Sequence, residues 1–481
     1  MKNIVDYLYK NSEEKEDKIF CVDNFGTFTY KEAVDSVERI ATFLHKQNIV
    51  NSPIIFNAER NNKSLIILLG IILSGNYFVP VNVDLSEEKI DSIIASSNAK
   101  FQIITDNNAH KNLTIFNYDE MLNCLPDKGA LKEIKINLDD KICTIFTSGS
   151  TGKPKGVMKT HRNFASFVEN FIETFNFNDD LRIANQAPLF FDASMKDVFL
   201  TIALGATIYF PDKTLFSMPL KLIEYLNENK INYVCWVPSA LTIIVKLNTF
   251  KYLKPTHLQY VMFVGEVFLP KYLNIWLREL PDIMYVNLYG STEIAGVCLY
   301  KIINRELDEQ KPIPLGVPIK NNKVYIDGEE ILVESDQIAL GYINDEAKNK
   351  EVFEVKNGIK ILHTGDFGFL NEDGDIVFTS RKDFQIKHMG YRIELQEIDI
   401  AVSSLKCINN CAVLYDKRAD KIVAFVSLNN TLQSPVKEII TDLKNILPPY
   451  MLPNRVEILD DLPLNANGKI DRNKLKQIIG E

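Results

Sequence analysis

Over the first 380 residues, short runs rich in β-branched and aromatic residues alternate with longer amphipathic segments. A chain written this way has few architectures open to it. The short apolar runs, Ile231–Val237 and Tyr260–Val264 among them, suit strands buried on both faces. The longer segments between them suit helices: Ser64–Ser74 reads as buried, and Leu220–Asn229 as amphipathic with Pro219 as its start signal. Strands that are buried and separated by helices belong to α/β layers with mainly parallel sheets. Further strands are predicted at Tyr77–Val83 and Ile142–Phe146.

The texture changes after Gly365. Asn371-Glu-Asp-Gly374 predicts a hairpin turn within Phe367–Phe378, which marks a β-rich subdomain. A charged stretch, Ser380–Asp383, follows, and then a unit of about a hundred residues, able to hold a core of its own. It is predicted to contain helices at Glu394–Leu405 and Val436–Ile446 and strands at Ala412–Tyr415 and Ile422–Leu428. We place the boundary at Asp383, giving a large domain over 1–382 and a small, mobile α+β domain over 383–481.

Charge and cysteine usage exclude several classes. The net charge is -9, which gives no electrostatic footprint for nucleic acid. The longest apolar stretch, Leu65–Leu73, is too short for a transmembrane segment, and acidic residues at 13, 14, 16 and 17 stand where a signal peptide needs an apolar run. Seven scattered cysteines with no Cys-x-x-Cys pair fit reduced thiols better than disulfides or a zinc site. A cytoplasmic location is expected.

The segment richest in chemistry is Thr147-Ser148-Gly149-Ser150-Thr151-Gly152-Lys153-Pro154-Lys155-Gly156, directly after a predicted strand. Glycines allow close backbone approach, and N–H groups, hydroxyls and lysines can meet anionic oxygens, so the loop suits phosphates. It is not a Walker A loop, because Pro154 follows the lysine where Ser or Thr would be needed. By composition alone a flexible surface loop fits equally well.

The spelling of that loop resembles the phosphate loop of the acyl-adenylating superfamily, which includes acyl-CoA synthetases, luciferases and the adenylation domains of nonribosomal peptide synthesis. Other landmarks of the superfamily follow in order: Phe28–Glu32, Gly75–Pro80, Phe191–Ser194, Asn287–Glu293, Thr364–Asp366, Arg381–Lys387 with Gly390–Glu394, Leu447–Pro453 and Leu462–Lys469. The spelling Gly390–Leu395 also resembles stand-alone D-alanine–carrier protein ligases. Met389 replaces the usual arginine before that glycine, and His363 precedes Thr364 where Tyr or Phe-Arg is usual.

The resemblance implies ATP and Mg²⁺ as cofactors and a set of roles. Residues 147–153, Lys155, Gly265, Asn287, Leu288 and Gly290 would surround the nucleotide. Tyr289 would stack on adenine, Thr292 would donate to the α-phosphate, and Glu293 would hold Mg²⁺. Asp366 would accept from the ribose hydroxyls, with Arg381 also reaching the nucleotide. Lys469 would be catalytic, bridging the acid's carboxylate and the α-phosphate, and Asp383 would be the hinge of the small domain. For the acid, the resemblance gives Asp192, Ala193, Lys196, Trp236, Met262, Val264, Leu288, Gly296 and Val297. Asp192 would pair with an α-ammonium, because a buried cation needs a counter-charge. Lys196 either meets a side-chain carboxylate of an acidic substrate or turns to solvent.

The expected activity is therefore ATP-dependent formation of an acyl-AMP, with an amino acid as the acid. Transfer to a phosphopantetheine thiol would follow. No Gly-x-Ser carrier motif follows Lys469, so the expected partner is a carrier protein in trans. An acyl- or aryl-CoA ligase of the same superfamily is the alternative, and an inactive nucleotide-binding regulator is a third reading from a different class.

Overall fold

A computed structural model describes residues 2–106, 108–147, 154–381, 385–429, 434–463 and 470–480. It divides into two compact units, and the main division falls between Lys382 and Asp383. The segments Asp84–Ile93 and Thr147–Lys155 group with the second unit.

The first unit is built on two large sheets. The nine-stranded sheet runs, in spatial order, Val317–Pro318, Leu299–Ile303, Met284–Tyr289, Tyr260–Val264, Tyr233–Trp236, Arg182–Ala184, Thr207–Tyr209, Ile19–Asp23 and Gly26–Thr29. Its central strands pair in parallel, as the unbroken apolar runs predict. The seven-stranded sheet is centred on Lys141–Thr147, Tyr77–Val81 and Pro53–Asn57. One apolar core joins both sheets through the helices Tyr30–Lys46, Asn62–Leu73, His161–Phe175 and Asp192–Leu204. Asn62–Leu73 is buried on almost every side, which its near-uniform apolar sequence requires.

A second core covers the opposite face of the nine-stranded sheet, beneath Pro219–Glu228, Pro238–Lys246 and Pro270–Glu279. Each of these helices opens on proline, whose missing N–H costs nothing at a helix start. The landmark Phe28–Glu32 is a helix start as well. Thr29 accepts from the Glu32 N–H, and the Glu32 carboxylate accepts from the Thr29 N–H at 2.8 Å.

A five-stranded antiparallel sheet completes the first unit. It contains the predicted hairpin, as Ile359–Leu370 against Ile376–Arg381. The register places Asp366 opposite Arg381.

The second unit contains a two-stranded hairpin, Gln385–His388 with Tyr391–Glu394, and a sheet of Ile408–Asp416, Lys421–Leu428 and Arg455–Ile458. The helices Leu395–Ser403 and Pro435–Leu443 pack on that sheet. Tyr391 stacks on Tyr450 with ring centroids 3.7 Å apart. The last helix, Arg472–Ile478, is held by Arg472, which donates to the Val413 carbonyl at 2.6 Å and pairs with Asp399. The fold is thus mixed α/β with a separate small C-terminal domain. Among the described residues, no helix is long and apolar enough to cross a membrane.

Candidate active site

Parallel α/β sheets bind ligands beyond the carboxyl ends of their strands, where the chain turns into loops. Three neighbouring strands of the nine-stranded sheet end at Trp236, Val264 and Tyr289. Most candidate residues of the first unit cluster around those ends. Gly265 follows Val264 with φ at +100°, a conformation that favours glycine.

Tyr289 closes its strand and is buried. Its hydroxyl donates to one oxygen of Asp366, and Arg381 Nη1 donates to the other at 2.5 Å. The three side chains come from two sheets and form one hydrogen-bonded chain. Burial, with Asp366 alongside, pushes the Tyr289 phenol well above its ordinary pKa and keeps it a donor. Arg381 also reaches the Thr364 carbonyl at 3.4 Å. The sequence assigned all three to the nucleotide but did not foresee that they hold one another.

The loop from Gly290 to Val297 folds back tightly. A Cβ on Gly290 would lie 2.6 Å from the Gly296 carbonyl oxygen, and one on Gly296 would lie 2.3 Å from the Phe167 ring. Gly296 also has φ at +69°. Gln337 fastens the loop by donating to the carbonyls of Ala295 and Val297 at 2.8 and 3.0 Å. Thr292 and Glu293 are buried within it, and Glu293 accepts from the Tyr342 hydroxyl at 2.6 Å. The Ser291 hydroxyl is buried without a partner. Asn287 donates to the Pro314 carbonyl at 2.8 Å, and Leu288 is buried beside Val264.

A buried hydroxyl awaiting a partner and a hard carboxylate beside it fit a phosphate with its metal. Among the described residues, no group of three or more His, Cys, Asp or Glu side chains could form a metal cage.

Asp192 is the first residue of its helix, where the helix dipole favours a negative charge. Burial raises its carboxyl pKa, and Lys159, paired with it, opposes that rise. Ala193 beside it is half-buried. Nothing in the sequence gives Lys159, three residues beyond Gly156, a role.

Lys196 shows neither arrangement that the sequence left open. It is buried, donating to Asp197 at 2.7 Å and to the Cys235 carbonyl at 3.1 Å, and Asn185 holds Asp197 at 3.1 Å. Its carboxylate partner is therefore inside the protein.

Trp236 is a correction. Met262, Val264, Leu288 and Val297 belong to the core that contains Met195 and Val198 of the Asp192 helix. Trp236 lies in the core on the opposite face of the sheet, donating to the Ala184 carbonyl at 2.8 Å. Pairing places Cys235 beside Met262, and Trp236 beside Phe263. Side chains alternate faces along a strand, so a displacement of one residue moves the position to the wrong side. Cys235 shares the face of Met262.

Thr147 ends its strand and is half-buried. Within the second unit, Lys155 Nζ lies 3.5 Å from Glu394. Ser148, Gly149, Ser150, Thr151, Gly152, Lys153, Asp383 and Lys469 lie outside the described residues.

With this geometry in place, comparison with known proteins decides the family. The AMP-binding enzyme family matches residues 8–343, and the AMP-binding enzyme C-terminal domain matches residues 397–469. The chain belongs to the AMP-binding enzyme family. It is 31% identical to the D-alanine--D-alanyl carrier protein ligase of Listeria monocytogenes, covering 97% of this chain and 98% of that protein. It is 29% identical to the ligase of that name from Staphylococcus aureus, covering 100% of both chains. Among solved structures, the Vibrio cholerae adenylation domain AlmE, in complex with glycyl-adenosine-5'-phosphate, superposes with a TM-score of 0.85 at 19% identity. That match covers 99% of this chain and 98% of that one. An artificially fused adenylation-PCP di-domain, NpsA-ThdA from Klebsiella oxytoca, gives 0.83 at 19% identity over 95% and 94%. These structures share its fold. With ligases as relatives over its whole length, this AMP-binding enzyme is an AMP-forming ligase.

Proposed function

We propose that this enzyme activates a small amino acid, D-alanine first among the candidates, and passes it to a separate carrier protein. The observation that carries the reading is the Tyr289–Asp366–Arg381 chain, set in a protein that matches D-alanine--D-alanyl carrier protein ligases from end to end.

In the first step a carboxylate oxygen of the acid attacks the α-phosphorus of ATP. The bond from that phosphorus to the bridging oxygen breaks, and pyrophosphate leaves. In the second step a phosphopantetheine sulfur, having lost its proton, attacks the acyl carbon and AMP leaves.

Tyr289 offers its ring face to adenine. Asp366, fixed by Arg381 and Tyr289, presents carboxylate oxygens to the ribose hydroxyls. Thr292 donates to the α-phosphate, and Glu293 would hold Mg²⁺, which neutralises phosphate charge when bound. Lys469 meets the charge that grows on phosphorus, so it stabilises the transition state more than the ground state. Asp192 faces the acid. A cytoplasmic location accords with the seven free cysteines.

ATP–pyrophosphate exchange against D- and L-amino acids, aryl acids and fatty acids tests the first step. Thioester formation on a phosphopantetheinylated carrier, with CoA as competitor, tests the second. Exchange driven by D-alanine or another small amino acid, followed by carrier loading, is the expected outcome. Exchange confined to aryl or fatty acids with CoA as acceptor would replace this reading with that of a CoA ligase.

A further inference from the structure

The reaction as proposed gives Lys159 no task, yet its side chain is fully buried. Among the described residues its ammonium meets two groups: the Asp192 carboxylate and the face of the Phe164 ring, 5.2 Å away. A buried ammonium needs a counter-charge, and Asp192 supplies it. The same pair leaves Asp192 neutralised before any acid enters. Lys196 acts on Asp192 more weakly than Lys159 does and has its own carboxylate, Asp197, at 2.7 Å. Glu293, the other carboxylate acting on Asp192, accepts from Tyr342.

An unpaired buried carboxylate would demand a cation from its ligand and reject any acid without one. A carboxylate already paired makes no such demand. We propose that Lys159 is a specificity-determining residue: it occupies the counter-ion place that Asp192 would otherwise offer to a substrate ammonium. The site then accepts a small carboxylic acid with or without an α-amino group.

This rests on the reading that the acid sits against Asp192. Asp192 retains 8% of its surface, so it is the exposed member of the pair, while Lys159 stands behind it at 0%. The strand Lys155–Thr160 and the helix Asp192–Leu204 fix the two side chains from separate elements.

The test compares kcat/KM in pyrophosphate exchange for D-alanine, D-lactate and propionate. Sites built to pair a polar group reject analogues lacking it by about 10⁴–10⁵-fold, whereas pockets that merely fit a shape discriminate by about 10–200-fold. The wild-type enzyme is expected in the second range, a measurement that needs no variant. Lys159→Met exposes the Asp192 charge and is expected to widen the ratio by about 100-fold or more, through KM rather than kcat.

Where Lys159→Met fails to fold, the wild-type ratio still decides, because that measurement needs no variant. A wild-type ratio above about 10⁴ overturns the inference, as does an unchanged ratio in folded Lys159→Met. Neither result touches the proposed adenylation of amino acids. Exchange with propionate and lactate but not alanine overturns the amino-acid reading and supports the role of Lys159. No exchange with any acid overturns both.

Discussion

Lys469 carries the most chemistry of any single residue proposed here. A positioned cation that meets charge developing on phosphorus contributes about 10²–10³-fold or more to rate. Lys469→Ala is accordingly expected to lower pyrophosphate exchange by that factor while ATP binding persists. Exchange close to wild type would remove Lys469 from catalysis. A second residue-scale prediction concerns His161, buried at the start of the helix His161–Phe175 with its Nδ1 unpartnered. Burial lowers its pKa from 6.5 to about 4, against the pull of Asp140. Between those values the unfolded chain binds a proton that the folded chain does not. Stability is therefore full above pH 6.5 and falls as pH drops towards 4, by about 3 kcal/mol in all. Denaturant melts across that window should show the slope, and His161→Gln should flatten it. Individual residues were the least legible scale in the sequence. The sequence gives Lys159 no role, and only the fold brings Asp192, 33 positions away, to meet it. Trp236 was misplaced because strand phase is set by pairing with distant strands, which a short apolar run does not reveal.

At the scale of elements, the loop Gly290–Val297 has to be tight to hold Thr292 and Glu293 beneath the strand ends. Gly296 meets two constraints at once, a left-handed backbone and a neighbouring ring where its Cβ would be. Gly296→Ala must shift Phe167 or the loop. It is expected to cost about 1–3 kcal/mol of stability and to weaken ATP binding. Thermal melts and nucleotide titration check both, and a variant with wild-type melting and affinity would show that the loop is looser than this packing implies. Elements were also the most legible scale. Tyr260–Val264 has the predicted bounds, and Leu220–Asn229 shifts by one residue at each end to Pro219–Glu228. The predicted strand Ala412–Tyr415 proved to be the later part of Ile408–Asp416, because the polar Asn409-Asn410 near its start carries no apolar signal while the backbone still pairs. Periodicity reports which residues are buried, and pairing continues past them.

At the scale of the whole molecule, two reactions share one nucleotide site but need different groups beside it. The first is proposed to need a cation, Lys469, for the charge that grows on phosphorus, and the second needs room for a thiol to reach the acyl carbon. The chain passes from one unit to the other at Lys382–Asp383, and we propose that backbone rotation at Asp383 exchanges one set of groups for the other. Proline fixes φ near −65° and restricts the residue before it, which removes that freedom. Asp383→Pro is therefore expected to leave pyrophosphate exchange within a few-fold of wild type and to abolish carrier loading, with aminoacyl-AMP accumulating on the enzyme. Single-turnover loading with radiolabelled amino acid separates the two steps. Loss of exchange with loading from synthetic aminoacyl-AMP intact would place the rotation before adenylation instead. Equal loss of both would assign Asp383 to folding, and a melting curve on the same preparation would show it.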